Sequence, residues 1–228
     1  MSRVQRITSN KTGFTIVELM IAISILSLIL LLSTYGIVRI GALYSKGTSQ
    51  ANTQDAARNI LGAITAQLQL GGATPVFIAP TLAPGVTTPS NVGALCIGSK
   101  RYSFIVNHKL LNANNDHVLW QDILNSSSSC GIISTLGVVT PSDPLNTSAP
   151  NNGSELLAAN MRLTDFDISS SGGLYTITIT IAYGDSDLIN YVPRAGSVQA
   201  ITTCKGGTGS QFCAVASYTT TVAPRLAN

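Results

Sequence analysis

Residues Phe14 to Leu32 read FTIVELMIAISILSLILLL, an apolar run interrupted by one charge, Glu18. As a helix this run measures about 28 Å at 1.5 Å per residue, close to the thickness of a bilayer's hydrocarbon core. It is therefore a candidate membrane span. A secretory signal peptide has a shorter apolar core followed by a small-residue cleavage site, and neither is present here, so the segment is expected to stay attached. Arg3, Arg6 and Lys11 precede the run and Arg39 and Lys46 follow it. That asymmetry predicts a short cytoplasmic N-terminus and an exported body. Glu18 is the anomaly, because a carboxylate in hydrocarbon costs several kcal/mol unless it is paired, neutralised or able to reach the interface. On burial alone, a functional carboxylate and one that snorkels to the cytoplasmic face fit equally well.

The stretch GFTIVELMIAISIL, Gly13 to Leu26, resembles the processing and assembly signature of type IV pilins and the related type II secretion pseudopilins. In that family a short basic leader ends in glycine and the chain is cut directly behind it. The new N-terminal residue is usually a phenylalanine that becomes N-methylated, and the fifth residue from the cut is glutamate. Here the leader is 1–13, its last residue is Gly13, the phenylalanine is Phe14 and the glutamate is Glu18. The resemblance implies that a prepilin peptidase cuts between Gly13 and Phe14 and methylates the new amine. The chain would then wait in the cytoplasmic membrane, single-pass with its head outside. An inner-membrane assembly machinery would draw it in among other pilin subunits, into a cell-surface pilus or a periplasmic pseudopilus. In such a filament the N-terminal amine of a neighbour pairs with Glu18, offsetting the burial of both charges and setting register.

Beyond the apolar run, Ala57, Ile60, Leu61, Ile64 and Leu68 recur at i, i+3, i+4, i+7 and i+11, the stripe of an amphipathic helix resting on a core. Asp55 and Arg58 stand at i, i+3 and can form a small ion pair beside it. Gly71, Gly72 and Pro75 form a stop signal. Gly36 and Gly41 each weaken the middle of the helix by roughly 1 kcal/mol, which predicts a bend or melted turn there. The resemblance implies the same loosening. The expected organisation is a leader at 1–13, a helix at 14–71 with its membrane span at about 14–35, and a head at 72–228.

The head reads as strand-rich, giving an α+β, pilin-like fold: a long helix on an antiparallel sheet. GGATPVFIAPTLAPGVTTPSN and TPSDPLNTSAPNNGS are loop-like in composition. RYSFIV and HVLWQDIL read as strands, with Trp120 in the core. In MRLTDFDISSSGGLYTITITIAY, Ile177, Ile179 and Ile181 alternate with threonines after a Ser-Gly-Gly turn, the pattern of a hairpin with one buried face. Its first strand carries Met161, Leu163, Phe166 and Ile168, a change of phase that predicts a bulge. FCAVASYTTTVA offers one more strand.

Only 10% of the residues are charged, and the net charge of +3 comes from Arg3, Arg6 and Lys11, so the body is neutral and gives no argument for nucleic-acid binding. The four cysteines form no CxxC pair, which favours two disulfides in an oxidising compartment over zinc; four buried thiols are the other reading. The short span KGGTGSQF favours pairing of Cys204 with Cys213, leaving Cys96 for Cys130. His108, Asp116 and His117 lack a recognised metal-ligand spacing. Asp185 and Asp187 have the i, i+2 spacing of calcium loops but no further oxygen ligands in view, so a solvated turn is expected. The Asn-x-Ser/Thr matches at Asn125, Asn146 and Asn152 carry no weight in so Ser/Thr-rich a chain. No nucleophile has a visible base and no cofactor or metal is implied, so the expectation is a structural protein and not an enzyme. Its length and its long Pro/Ser/Thr loops favour a minor pilin. A pseudopilin of a secretion or DNA-uptake system comes second, then a signal-anchored extracytoplasmic adhesion or binding protein, and last an exported hydrolase.

Overall fold

The structure, a computed structural model, describes residues 13–70, 74–80, 91–111, 117–124, 130, 153–193 and 199–224. The leader residues Arg3, Arg6 and Lys11, the loop residue Asp116, and Asn125, Asn146 and Asn152 lie outside them. The chain divides into two compact units, Met1–Tyr44 and Ser45–Asn228. Helix α1, Ile16–Leu70, contributes to both.

In the first unit every residue from Gly13 to Tyr35 is exposed, and the most apolar stretch of α1 has a mean hydropathy of 2.6. The helix is helical throughout at Gly36 and Gly41, so the melted turn expected there is absent. The roughly 1 kcal/mol lost at each glycine is too little to break a backbone ladder whose N–H and C=O groups have no better partners.

In the second unit α1 buries Ser49, Thr53, Ala57, Ile60, Leu61, Ile64 and Leu68, so the apolar stripe is preceded by two hydroxyl residues four apart. The Thr53 hydroxyl donates to the carbonyl of Ser49 at 2.7 Å, which removes the penalty of burying it. Arg58 does not pair with Asp55; its guanidinium lies 5.2 Å from the centre of the Tyr218 ring, a cation–π contact that holds its stem against the sheet.

That stripe packs on antiparallel sheets, an α+β arrangement. The first sheet is a meander of β1 (Val76–Ile78), β2 (Val92–Ile97), β3 (Lys100–Ile105), β4 (Leu119–Ile123) and β5 (Ser154–Glu155), in that spatial order. The second contains β6 (Met161–Ser171), β7 (Leu174–Tyr183) and β10 (Ala214–Val222) in the order β10-β7-β6, and β8 (Ile189–Pro193) pairs with β9 (Ala200–Cys204) as a two-stranded ribbon. Bridges from Val106 to Leu163 and from Lys109 to Arg162 join the first two sheets.

The β6–β7 hairpin turns on Gly172 and Gly173, with φ of 59° and 80°. Positive φ at both central residues is the two-residue turn whose twist matches the flanking strands. Ile177, Ile179 and Ile181 are fully buried, while on the opposite face Thr176, Thr178 and Thr180 pair their hydroxyls with Thr221, Thr219 and Ser217 at 3.2, 3.0 and 2.9 Å. The change of phase in β6 is a register shift between Leu163 and Asp165; the extra residue, Thr164, is buried with its hydroxyl on the Thr180 carbonyl.

Two disulfides clamp the ends of strands: Cys96 in β2 to Cys130, and Cys204 at the end of β9 to Cys213 just before β10. Trp120 is half-buried against the core.

Candidate functional site

The start of α1 concentrates the chemistry. Gly13, Phe14 and Thr15 precede the helix in non-helical backbone. Thr15 is the N-cap: its carbonyl accepts from the Leu19 N–H at 3.2 Å, and its hydroxyl accepts from the Glu18 N–H at 3.3 Å. Glu18 answers with one carboxylate oxygen, which takes the Thr15 N–H at 3.0 Å and the Thr15 hydroxyl at 2.9 Å. This reciprocal arrangement is a capping box, in which two otherwise orphaned N–H groups are satisfied by side chains three residues apart. A negative charge in the first turn also sits well with the helix dipole.

The carboxylate that looked uncompensated in the sequence thus has two donors on its own chain. The signal was available as T-x-x-E directly ahead of an apolar run. The cap also starts the helix two residues after Phe14, so the Gly13–Phe14 peptide bond lies in non-helical backbone.

Removing the cap while keeping the side-chain shape isolates its contribution. Thr15→Val should destabilise the first turn of α1 by about 1 kcal/mol, and Thr15→Ser should restore it. Amide exchange at Val17 and Glu18 in micelles checks this, with faster exchange expected in the valine variant alone.

Residues 8–34 match a family model, the prokaryotic N-terminal methylation motif. The chain carries the type IV prepilin signature. The prepilin match covers Lys11, Gly13, Phe14, Glu18 and the whole apolar run to Leu32, and stops inside α1. No curated protein and no solved structure matches the chain. The prepilin motif implies processing by a prepilin peptidase and assembly with other pilins in a membrane machinery. Together with the apolar helix it points to a membrane-anchored chain whose remainder lies outside.

The other sequence candidates are placed as follows. Asp185 is taken by Lys109, whose ammonium lies 2.5 Å from its carboxylate. The hydrogen bond and charge of Lys109 hold the Asp185 carboxyl below its ordinary value. A carboxylate engaged by an ammonium is a poor cation ligand. His108 and His117 are not brought together with a third ligand: among the described residues no group of three His, Cys, Asp or Glu side chains converges.

His117 instead packs against Trp120 with ring centres 4.2 Å apart and planes tilted by 50°, its Nδ1 3.7 Å from Glu155. Sequence reading missed Glu155, which stands alone in a polar stretch with no motif around it. Its carboxylate accepts from four backbone N–H groups, those of Val118 at 2.8 Å, Leu119 at 3.0 Å, Leu156 at 3.2 Å and Leu157 at 3.0 Å, and so ties β4 to β5.

Desolvation outweighs these bonds and raises the Glu155 pKa above its ordinary value of 4.5. A carboxyl whose pKa is raised by folding adds stability below its unfolded pKa and loses that contribution as pH rises through the folded one. Wild type should therefore gain on Glu155→Gln as pH falls from 7 to about 4, where the unfolded carboxyl titrates. Urea unfolding of both proteins at the two pH values measures the difference.

Proposed function

We propose that this chain is a structural subunit of a type IV pilus or related filament, assembled through α1 after a prepilin peptidase cuts the Gly13–Phe14 bond. The observation that carries the reading is a helix start of fixed register, Gly13-Phe14-Thr15 then a capped Glu18, leading into an apolar helix exposed on every side to Tyr35. An apolar surface all the way round a helix needs lipid or other apolar helices as its partner, and a filament core supplies the second when the subunit leaves the first. Within the family we place the chain as a minor pilin, on the strength of its two long stretches rich in Pro, Ser, Thr and Asn, 71–91 and 140–154, which suit an end position better than a closely repeated lattice. Its role is structural, without a catalytic centre.

Shearing cells that do or do not make prepilin peptidase tests the proposal. The chain should appear in the sheared filament fraction only when the peptidase is active. Retention in the membrane under both conditions overturns the filament reading, and recovery with a periplasmic filament and not a surface one moves the chain to the pseudopilins.

A further inference from the structure

A cleft of about 590 Å³ opens beside the Cys204–Cys213 disulfide, between the head-side part of α1 and the ends of β9 and β10. Lys46 and Gln50, one helical turn apart, form one wall, and Lys205 and Ser210 from the disulfide-closed loop form the other. The disulfide and Val215 make an apolar floor.

Among the described residues these four polar side chains have no partners of their own. Among the described residues no carboxylate lines the cleft, the ammonium groups of Lys46 and Lys205 take part in no ion pair or hydrogen bond, and the Gln50 amide and Ser210 hydroxyl are likewise unengaged. Of the other described basic side chains between Ser45 and Asn228, all but Lys100 are used: Arg101 on Asp122, Lys109 on Asp185, Arg162 on Tyr191 and the Gly184 carbonyl, and Arg58 on Tyr218. In a chain with only 10% charged residues, two unpaired ammonium groups at one cleft concentrate positive potential where little else on the surface offsets it.

We propose that this cleft binds an acidic saccharide. Its volume falls in the range of small-molecule sites. The two ammonium groups match a carboxylate, the Gln50 amide and Ser210 hydroxyl can each donate to and accept from ring hydroxyls, and the disulfide and Val215 can take the C–H face of the ring. A neutral sugar leaves both charges unmatched, and a bare anion leaves the amide, hydroxyl and floor unused.

Titration of the full chain in neutral detergent micelles, followed by amide and side-chain NMR shifts, tests this with four probes: glucuronate, glucose, inorganic sulfate and triglutamate. Glucuronate should bind and shift Lys205, Ser210 and Gln50, with affinity at least tenfold above the other three. The double variant Lys46→Ala/Lys205→Ala should lose at least tenfold in glucuronate affinity, and Lys100→Ala, a change of a half-buried lysine in β3 outside the cleft, should lose none. Equal binding of sulfate makes this a bare anion site and overturns the saccharide assignment. Preference for triglutamate makes it a peptide-docking surface and does the same, and glucuronate affinity unchanged in the double variant removes the cleft altogether.

Discussion

Glu18→Ala should leave cleavage at Gly13–Phe14 largely intact and reduce incorporation into filaments by tenfold or more. In the single subunit the carboxylate is satisfied by the Thr15 N–H and hydroxyl, so alanine removes half of the capping box and costs about 1 kcal/mol locally. That is too little to stop a long apolar helix from residing in a membrane. The proposed filament would demand more, because there the amine of a neighbouring subunit would be buried as well, and an unpaired charge in an apolar core is far costlier than a frayed first turn. Glu18→Gln separates the two roles: its carbonyl oxygen still accepts from Thr15, but the charge is gone. Both variants should therefore fail in assembly. Normal incorporation of Glu18→Gln together with failure of Glu18→Ala would show that the cap, and not ion pairing, is what assembly needs.

The second large effect lies in the head. Phe104 is fully buried, meets Phe166 edge-on at 4.8 Å and stacks with Phe77 at 6.1 Å, so one ring joins β1, β3 and β6. Gly93, its partner across β2 and β3, leaves the space the ring occupies: a Cβ there would stand 2.3 Å from the end of the Phe104 ring and 2.7 Å from the Ile78 carbonyl. Phe104→Ala should cost about 3–5 kcal/mol, set against a typical total of 5–15 kcal/mol for a domain. Urea unfolding with the disulfides intact measures it, and a loss below about 1 kcal/mol would mean that the ring is not a keystone of the core.

The outline of the fold could be read from local patterns wherever burial is one-sided. All five residues of the predicted α1 stripe are buried, the hairpin turns where the Ser-Gly-Gly sequence placed it, and the break of phase in β6 is a real register shift. The stripe's first two members, Ser49 and Thr53, escaped notice because their hydroxyls look polar until Thr53 turns its own back onto the helix. Strand β2 is buried at all six positions, so it shows no alternation, and Gly93 within it reads as a breaker although it serves as a seat for Phe104. Strand β1 lies inside a Pro-rich stretch read as loop, and β8 and β9, which pair with each other, are too short to show a clear alternation.

At the N-terminal end the prepilin signature was legible, as the motif match over residues 8–34 shows, and the capping box was present as T-x-x-E but unread. The two lysines at the disulfide cleft were not legible, because Lys46 and Lys205 are far apart in sequence and only packing brings them to one opening.

Intact mass of the chain from cells with an active prepilin peptidase tests the central claim most directly. The account predicts a protein that begins at Phe14 and carries one added methyl group on its amine, and in cells lacking the peptidase a precursor that retains residues 1–13. A chain that keeps the leader in the presence of the peptidase, or one cut at any other bond, would contradict it.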